Sequence, residues 1–317
     1  MTQNIVEHLR ELAINKLFNT NTFSNVWAQR WQSEVNSKLA VRNATNIINL
    51  GDHLTEIFKS TSNSGKPGPS RTQSDVSGGG AAWEALVCWY LNLCLVGTNT
   101  VVVKSSNELI PEPIRESLKV SYGTFVSNTE SDLIAITFPS LTNYAINKTT
   151  LSLVNNQGIA IPLTIGRNSR FNTKAILNQL AENDFSSYEV GVIQCKTNWN
   201  DNAQIPMLWD LIYASNGFRN GVSVGTSAFS IRNLQHFSYS FVTVPTSRGP
   251  FTSNSTAVKR VSNLSGGNFW GQSSQSNVAH SIKEMCSMNF SNGATNIRQS
   301  ISVAIPLLST TYSYFRL

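Results

Sequence analysis

The chain runs to 317 residues, 40% of them hydrophobic with 15 Phe, 8 Tyr and 7 Trp, which is too apolar and too aromatic for an intrinsically disordered chain. Charged residues make up only 13%, about half the usual share, and Asn, Ser and Thr replace them to give a polar but weakly charged surface. A net charge of +6 and a pI near 9.2 lean towards a polyanionic partner, while four cysteines (Cys88, Cys94, Cys195, Cys286) with no C-x-x-C pair and no His at ligand spacing argue against a zinc site.

Residues 4 to 59 carry a helical pattern. Ile5, Leu9, Leu12 and Leu17 fall near one face, Val26, Trp27 and Trp31 open a second stretch, and NIINLGDHLTEIFK forms a third. The opening MTQNIVEHLRELAINKLF is amphipathic and lacks the apolar run of a signal peptide, so a cytoplasmic protein is expected. The Ser-, Gly- and Pro-rich stretch that follows, up to Gly80, reads as a mobile loop and carries Lys66 and Arg71. Gly78, Gly79 and Gly80 do not have phosphate-loop spacing; they read as flexible backbone feeding a helix from Ala81 to Leu95. That helix is hydrophobic almost all round, so it belongs in a core, with Trp83, Trp89 and Tyr90 as packing residues. It contains Glu84 and is short for a bilayer, so no membrane span is expected.

A β-rich centre follows. TNTVVVKS and SDLIAITFP read as strands, and TTLSLVNNQGIAIPLTIG as a hairpin around Asn156, Gln157 and Gly158. FNTKAILNQLAEN is helical in pattern, YEVGVIQCK is a buried strand, and IPMLWDLIYASNGF is a helix ending near Gly217. GVSVGTSAFSI and FSYSFVTVPT supply two more strands, with His236 in the turn between them. The tail carries a basic, Asn-rich loop with Arg248, Lys259 and Arg260, a helix near 278–287, and a closing apolar strand, SISVAIPLL. Helices and strands alternating in this way predict a mixed α/β domain.

Two strand ends carry chemistry. Asp132 is an acid at the mouth of an apolar strand, and YEVGVIQCK ends on Gln194, Cys195 and Lys196. Alternate side chains of a strand share a face, so Gln194 and Lys196 point the same way while Cys195 points into the opposite layer. A lysine closing so apolar a strand needs a task or a partner. The bland alternative is that Asp132 caps a turn, Gln194 bonds within the sheet and Lys196 snorkels to the surface. Asp184 is a rival for the acid, but it falls in the turn before the strand, at the end away from Lys196.

Asp132, then 61 intervening residues (133 to 193), then Gln194-x-Lys196 resembles the PD-(D/E)XK nuclease family, in which Asp and then Glu-x-Lys lie at neighbouring strand ends of a small mixed sheet. Ser131 stands where the family often has Pro, and Gln194 replaces the usual acid. The order of elements also fits, with a Glu-bearing helix before the sheet and a helix after the lysine strand. The resemblance covers roughly Gly78 to Pro245.

The resemblance implies a restriction-endonuclease-like mixed sheet flanked by helices and a Mg2+ ion held by Asp132, the Gln194 amide oxygen and the Cys195 carbonyl. Lys196 would act on the attacking water, and Glu84 could supply a second carboxylate. It implies a single elaborated nuclease domain: helical residues 1–60, a flexible loop 61–80, a catalytic core 81–245 and a C-terminal elaboration 246–317. The activity implied is site-specific cleavage of double-stranded DNA to 5′-phosphate and 3′-hydroxyl ends, as a type II restriction enzyme and a homodimer. Lys66, Arg71, Arg248, Lys259 and Arg260 are the candidate DNA contacts. Two alternatives remain at this point: a repair or recombination nuclease of the same fold, and a non-enzymatic β-rich viral coat or assembly protein.

Overall fold

The computed structural model describes residues 3–60, 73–104, 108–127, 131–197, 221–243 and 296–317, together with Ile212, Asn254 and a two-residue strand at Phe269–Trp270. It opens with helices α1 (Ile5–Phe18), α2 (Asn21–Val26), a π-helical segment (Trp27–Trp31), α3 (Gln32–Lys38), α4 (Ala44–Asn49) and α5 (Leu54–Lys59). The Asn4 side chain caps α1 by accepting from the Glu7 N–H, and Ile5, Leu9, Ala13 and Leu17 bury one face. Helix α6 (Gln73–Cys94) then leads into β1 (Thr100–Lys104), α7 (Glu112–Leu118), β2 (Val120–Tyr122), β3 (Phe125–Ser127), β4 (Leu133–Thr137) and α8 (Thr142–Ala145). Next come β5 (Thr164–Ile165), β6 (Arg170–Phe171), α9 (Thr173–Asp184), β7 (Glu189–Lys196), β8 (Val222–Val224), β9 (His236–Thr243), β10 (Phe269–Trp270) and α10 (Ile297–Ala304).

The main sheet has the order β1-β4-β7-β9-β10. Strands β1, β4 and β7 form an antiparallel run, and β7, β9 and β10 continue it in parallel. Both faces are covered, which is why its strands read as unbroken apolar runs instead of alternating ones. Val102, Leu133, Ala135, Ile193, Cys195 and Val242 pack with α6 and the N-terminal helices. Val101, Val103, Ile134, Ile136, Val190 and Val192 pack on the opposite side with α9. Each Val, Leu or Ile among them contributes about 1.5–3 kcal/mol on removal from water. The chain is therefore an α/β protein with a mixed sheet flanked by helices.

Strand β1 lies at the sheet's edge, where free backbone groups would invite another chain. Two buried side chains close that edge. Asn92 of α6 accepts from Val102 N at 3.1 Å and donates to Val102 O at 2.6 Å, as a neighbouring strand would. Arg10 of α1 donates to Thr100 O and Thr98 O, both at 2.9 Å, and pairs with Glu7 at 3.0 Å.

Several expectations need correction. The tail segment read as a closing strand is helix α10, because Ile297, Ile301 and Ala304 recur at helical spacing and are buried while Val303 faces out. Helix α6 begins at Gln73, so Gly78–Gly80 lie inside it and not in a loop. The 149–166 hairpin reduces to one bridge, Val154 with Ala160, around a turn in which Asn155 Oδ1 accepts from two backbone N–H groups. Only Val222–Val224 of the next expected strand is extended; it joins a separate sheet of order β3-β2-β8. His236 begins β9 and is not a turn residue. Among the described residues no helix is long and apolar enough to cross a membrane. The expected helix near 278–287 lies outside them, and of the one near 205–218 only Ile212, which is helical, lies within.

Candidate active site

The antiparallel register of the sheet brings distant chain ends to one corner. Leu133 pairs with Ile193, so one step beyond the ladder sets Asp132 opposite Gln194. Lys104, the last residue of β1, pairs with Leu133 at the same corner. Lys196 closes β7 there. Alternation then sorts the side chains. Asp132, Gln194 and Lys196 fall in phase with Ile134, Val190 and Val192, on the α9 side. Cys195 and Lys104 fall in phase with Ile193 and Val102, on the α6 side.

The three residues singled out from the sequence meet. Asp132 Oδ2 accepts from Gln194 Nε2 at 2.6 Å and from the Cys195 backbone N–H at 2.7 Å. Lys196 Nζ stands 3.9 Å from the same oxygen. A carboxylate can only accept, which fixes the Gln194 amide with its nitrogen towards Asp132. Asp132 Oδ1 and Gln194 Oε1 make no hydrogen bond among the described residues. Gln194 is 2% exposed, and the side chains of Asp132 and Lys196 are 18% and 22% exposed. The corner is thus sheltered but open to small solutes.

Burial pushes the Asp132 carboxyl up to about 6, against the lowering influence of Lys196. The negative charge of Glu84 adds to the rise, and the Cys195 N–H and Lys104 oppose it. Burial likewise holds the Cys195 thiol well above its ordinary range, helped by Asp132 and Glu84, so it stays protonated and unreactive. Cys88, Cys94 and Cys195 are all buried free thiols.

Glu84 enters from α6, on the other side of the sheet. Its carboxylate pairs with Lys104 Nζ at 2.9 Å and not with any residue of the Asp132 group. Lys104 also donates to Ala81 O at 3.4 Å. Lys104 is the site residue that sequence reasoning missed. The signal was present, since TVVVK ends an apolar strand on a lysine just as YEVGVIQCK does.

Asp184, the rival acid, ends α9 and accepts from Tyr144 Oη at 2.8 Å, beside Tyr188 and thus at the opposite end of β7 from Lys196. His8 is held between Thr173 Oγ1 at 3.0 Å and Lys148 Nζ at 2.7 Å. Lys66, Arg71, Arg248, Lys259 and Arg260, the candidate DNA contacts, lie outside the described residues.

A carboxylate, an amide and two ammonium groups offer hard oxygen donors beside positive charge. That combination suits an oxygen-seeking divalent cation or a phosphate. Among the described residues no three His, Cys, Asp or Glu side chains are grouped to hold a metal. Compared with known proteins, the sequence matches no family model and has no significant match among curated proteins.

Proposed function

We propose that this chain is a Mg2+-dependent DNA endonuclease of the PD-(D/E)XK kind, acting as a restriction-type enzyme on double-stranded DNA. The observation that carries the reading is the meeting of Asp132, Gln194 and Lys196 at one sheet corner, with 2.6 Å and 3.9 Å contacts to a single carboxylate oxygen. Their neighbouring strand ends, in a mixed sheet preceded by a Glu-bearing helix, support the restriction-endonuclease-like version of the α/β fold.

The donor set fits magnesium. Asp132 Oδ1 and Gln194 Oε1 have no hydrogen-bond partner among the described residues, and the Cys195 carbonyl stands at the same strand end, so these three oxygens would hold the ion with waters completing its shell. When bound, Mg2+ supplies Lewis acidity towards a phosphodiester oxygen and a more acidic water. Asp132 anchors that arrangement through two donors that fix its orientation. Lys196 keeps its ammonium beside the same carboxylate, where it orients the attacking water and offsets negative charge developing on the phosphorus oxygens. The net charge of +6 favours a polyanionic substrate, and a surface rich in Asn, Ser and Thr suits reading base edges. Cutting both strands of a symmetric site favours a homodimer.

The test is incubation of phage DNA with the purified protein and Mg2+, with EDTA and Lys196→Ala as controls. Discrete fragments that vanish with either control support site-specific cleavage, and a Mg2+-dependent smear points to a structure-directed nuclease. DNA left intact by the wild type, or cut equally by Lys196→Ala, rejects the reading.

A further inference from the structure

We propose that Lys104 is a positioning residue that holds Glu84 away from Asp132 and so limits the corner to one divalent cation, with Asp132 as its only anionic protein ligand. The inference rests on reading this corner as a cation site, and it concerns a residue that is not among those that would hold the ion.

The geometry points this way for three reasons. Among the described residues the corner holds two carboxylates and two ammonium groups, and each carboxylate has one ammonium: Glu84 with Lys104 at 2.9 Å, and Asp132 with Lys196 at 3.9 Å. The shorter contact belongs to the pair on the α6 side. Second, Lys104 Nζ is also engaged by the Ala81 carbonyl at 3.4 Å, on the same helix and three residues before Glu84. An ammonium shared between a backbone oxygen and a carboxylate of one helix fixes where that carboxylate points. Third, Lys104 sits on β1 directly across from Leu133, the residue after Asp132, and the charges of both Glu84 and Lys104 reach the Asp132 carboxyl in opposite senses.

Without this lysine, Glu84 would be a second anion beside a corner that already needs a counter-charge. Ligand charge count sets how tightly oxygen sites take divalent cations. A freed Glu84 would therefore strengthen cation binding or add a second ion. Lys104 keeps the corner weakly charged, which matches the presence of a neutral amide at Gln194 in place of an acid.

The experiment is Mn2+ binding, measured by electron paramagnetic resonance and calorimetry without DNA, on the wild type, Lys104→Met, Lys104→Arg and Lys104→Met combined with Glu84→Gln. The wild type should take one Mn2+ per chain. Lys104→Met should bind about tenfold more tightly or take a second ion. Lys104→Arg, which keeps the cation, should behave as the wild type, and the double variant should lose the gain. Equal binding by the wild type and Lys104→Met, or a gain that survives Glu84→Gln, overturns the role of Lys104 and leaves the cation site standing. A folded wild type that takes up no Mn2+ overturns the cation site and this proposal together.

Discussion

Replacing Gln194 by Glu converts the central contact of the site into a direct test of its geometry. In the wild type the amide donates to Asp132 Oδ2 across 2.6 Å, in a residue 2% exposed. Glu at this position removes the donor and sets two carboxylates against each other. With charge centres about 4–5 Å apart and an effective dielectric near 20, the repulsion is roughly 3–4 kcal/mol. The melting temperature in EDTA at pH 8 should therefore fall by roughly 6–16 °C, at about 2–4 °C per kcal/mol, typical of domains of about 150–250 residues. Two agents should reverse the loss. Lowering the pH to about 5 lets the pair share a proton. Adding Mg2+ supplies the missing counter-charge, and ligand at about a hundred times its dissociation constant returns close to 3 kcal/mol. Differential scanning fluorimetry across pH and Mg2+ concentration reads all three effects. A melting temperature unchanged by the substitution in EDTA, or a drop insensitive to both pH and Mg2+, refutes the argument.

Three further outcomes follow from the same structure. Asp132 has a folded-state value of about 6 against an ordinary 3.8, so its contribution is full below pH 3.8 and is lost as pH rises through 6. Asp132→Asn should then melt no lower than the wild type in EDTA at pH 8, gaining up to about 3 kcal/mol, while losing cleavage. A melting temperature several degrees below wild type contradicts this. Arg10→Met should cost about 3–5 kcal/mol in urea denaturation, because it takes the cation from Glu7 and strands the Thr98 and Thr100 carbonyls at the sheet edge; a loss under 1 kcal/mol contradicts it. Burial first, then Lys148, lowers His8 to about 4, so its contribution is present above pH 6.5 and lost as pH falls towards 4. The difference in stability between wild type and His8→Gln should shrink across that window by about 1–2 kcal/mol, after discounting for partial exposure. A difference that stays flat with pH rules this out.

The core of the sheet was legible because β1, β4 and β7 are runs of Val and Ile bounded by polar turns, and a run buried on both faces has no other reading at that length. The pairing of Gln194 with Lys196 on one face followed from the two-residue period alone, since a strand permits no other arrangement. What joined them to Asp132 was register, and register depends on pairing across 62 positions, which no local pattern encodes. The edge closure was invisible for the same reason: Arg10 and Asn92 find β1 only once α1 and α6 have packed. In the tail, Ile and Val favour strands intrinsically, but Ile297, Ile301 and Ala304 share one helical face, and burial of that face outweighed propensity. At the start of α6, three consecutive glycines each cost about 1 kcal/mol in a helix, which argued for a loop. The helix nevertheless runs through them from Gln73. Lys104 went unread because its partner, Glu84, sits on another element 20 positions earlier.

The most direct measurement is a crystal structure of the wild-type protein grown with Mn2+, with data collected at the manganese absorption edge. The account predicts one anomalous peak per chain within bonding distance of Asp132 and Gln194 oxygens, with Lys196 beside it. Density at saturating Mn2+ with no anomalous peak at that corner contradicts it.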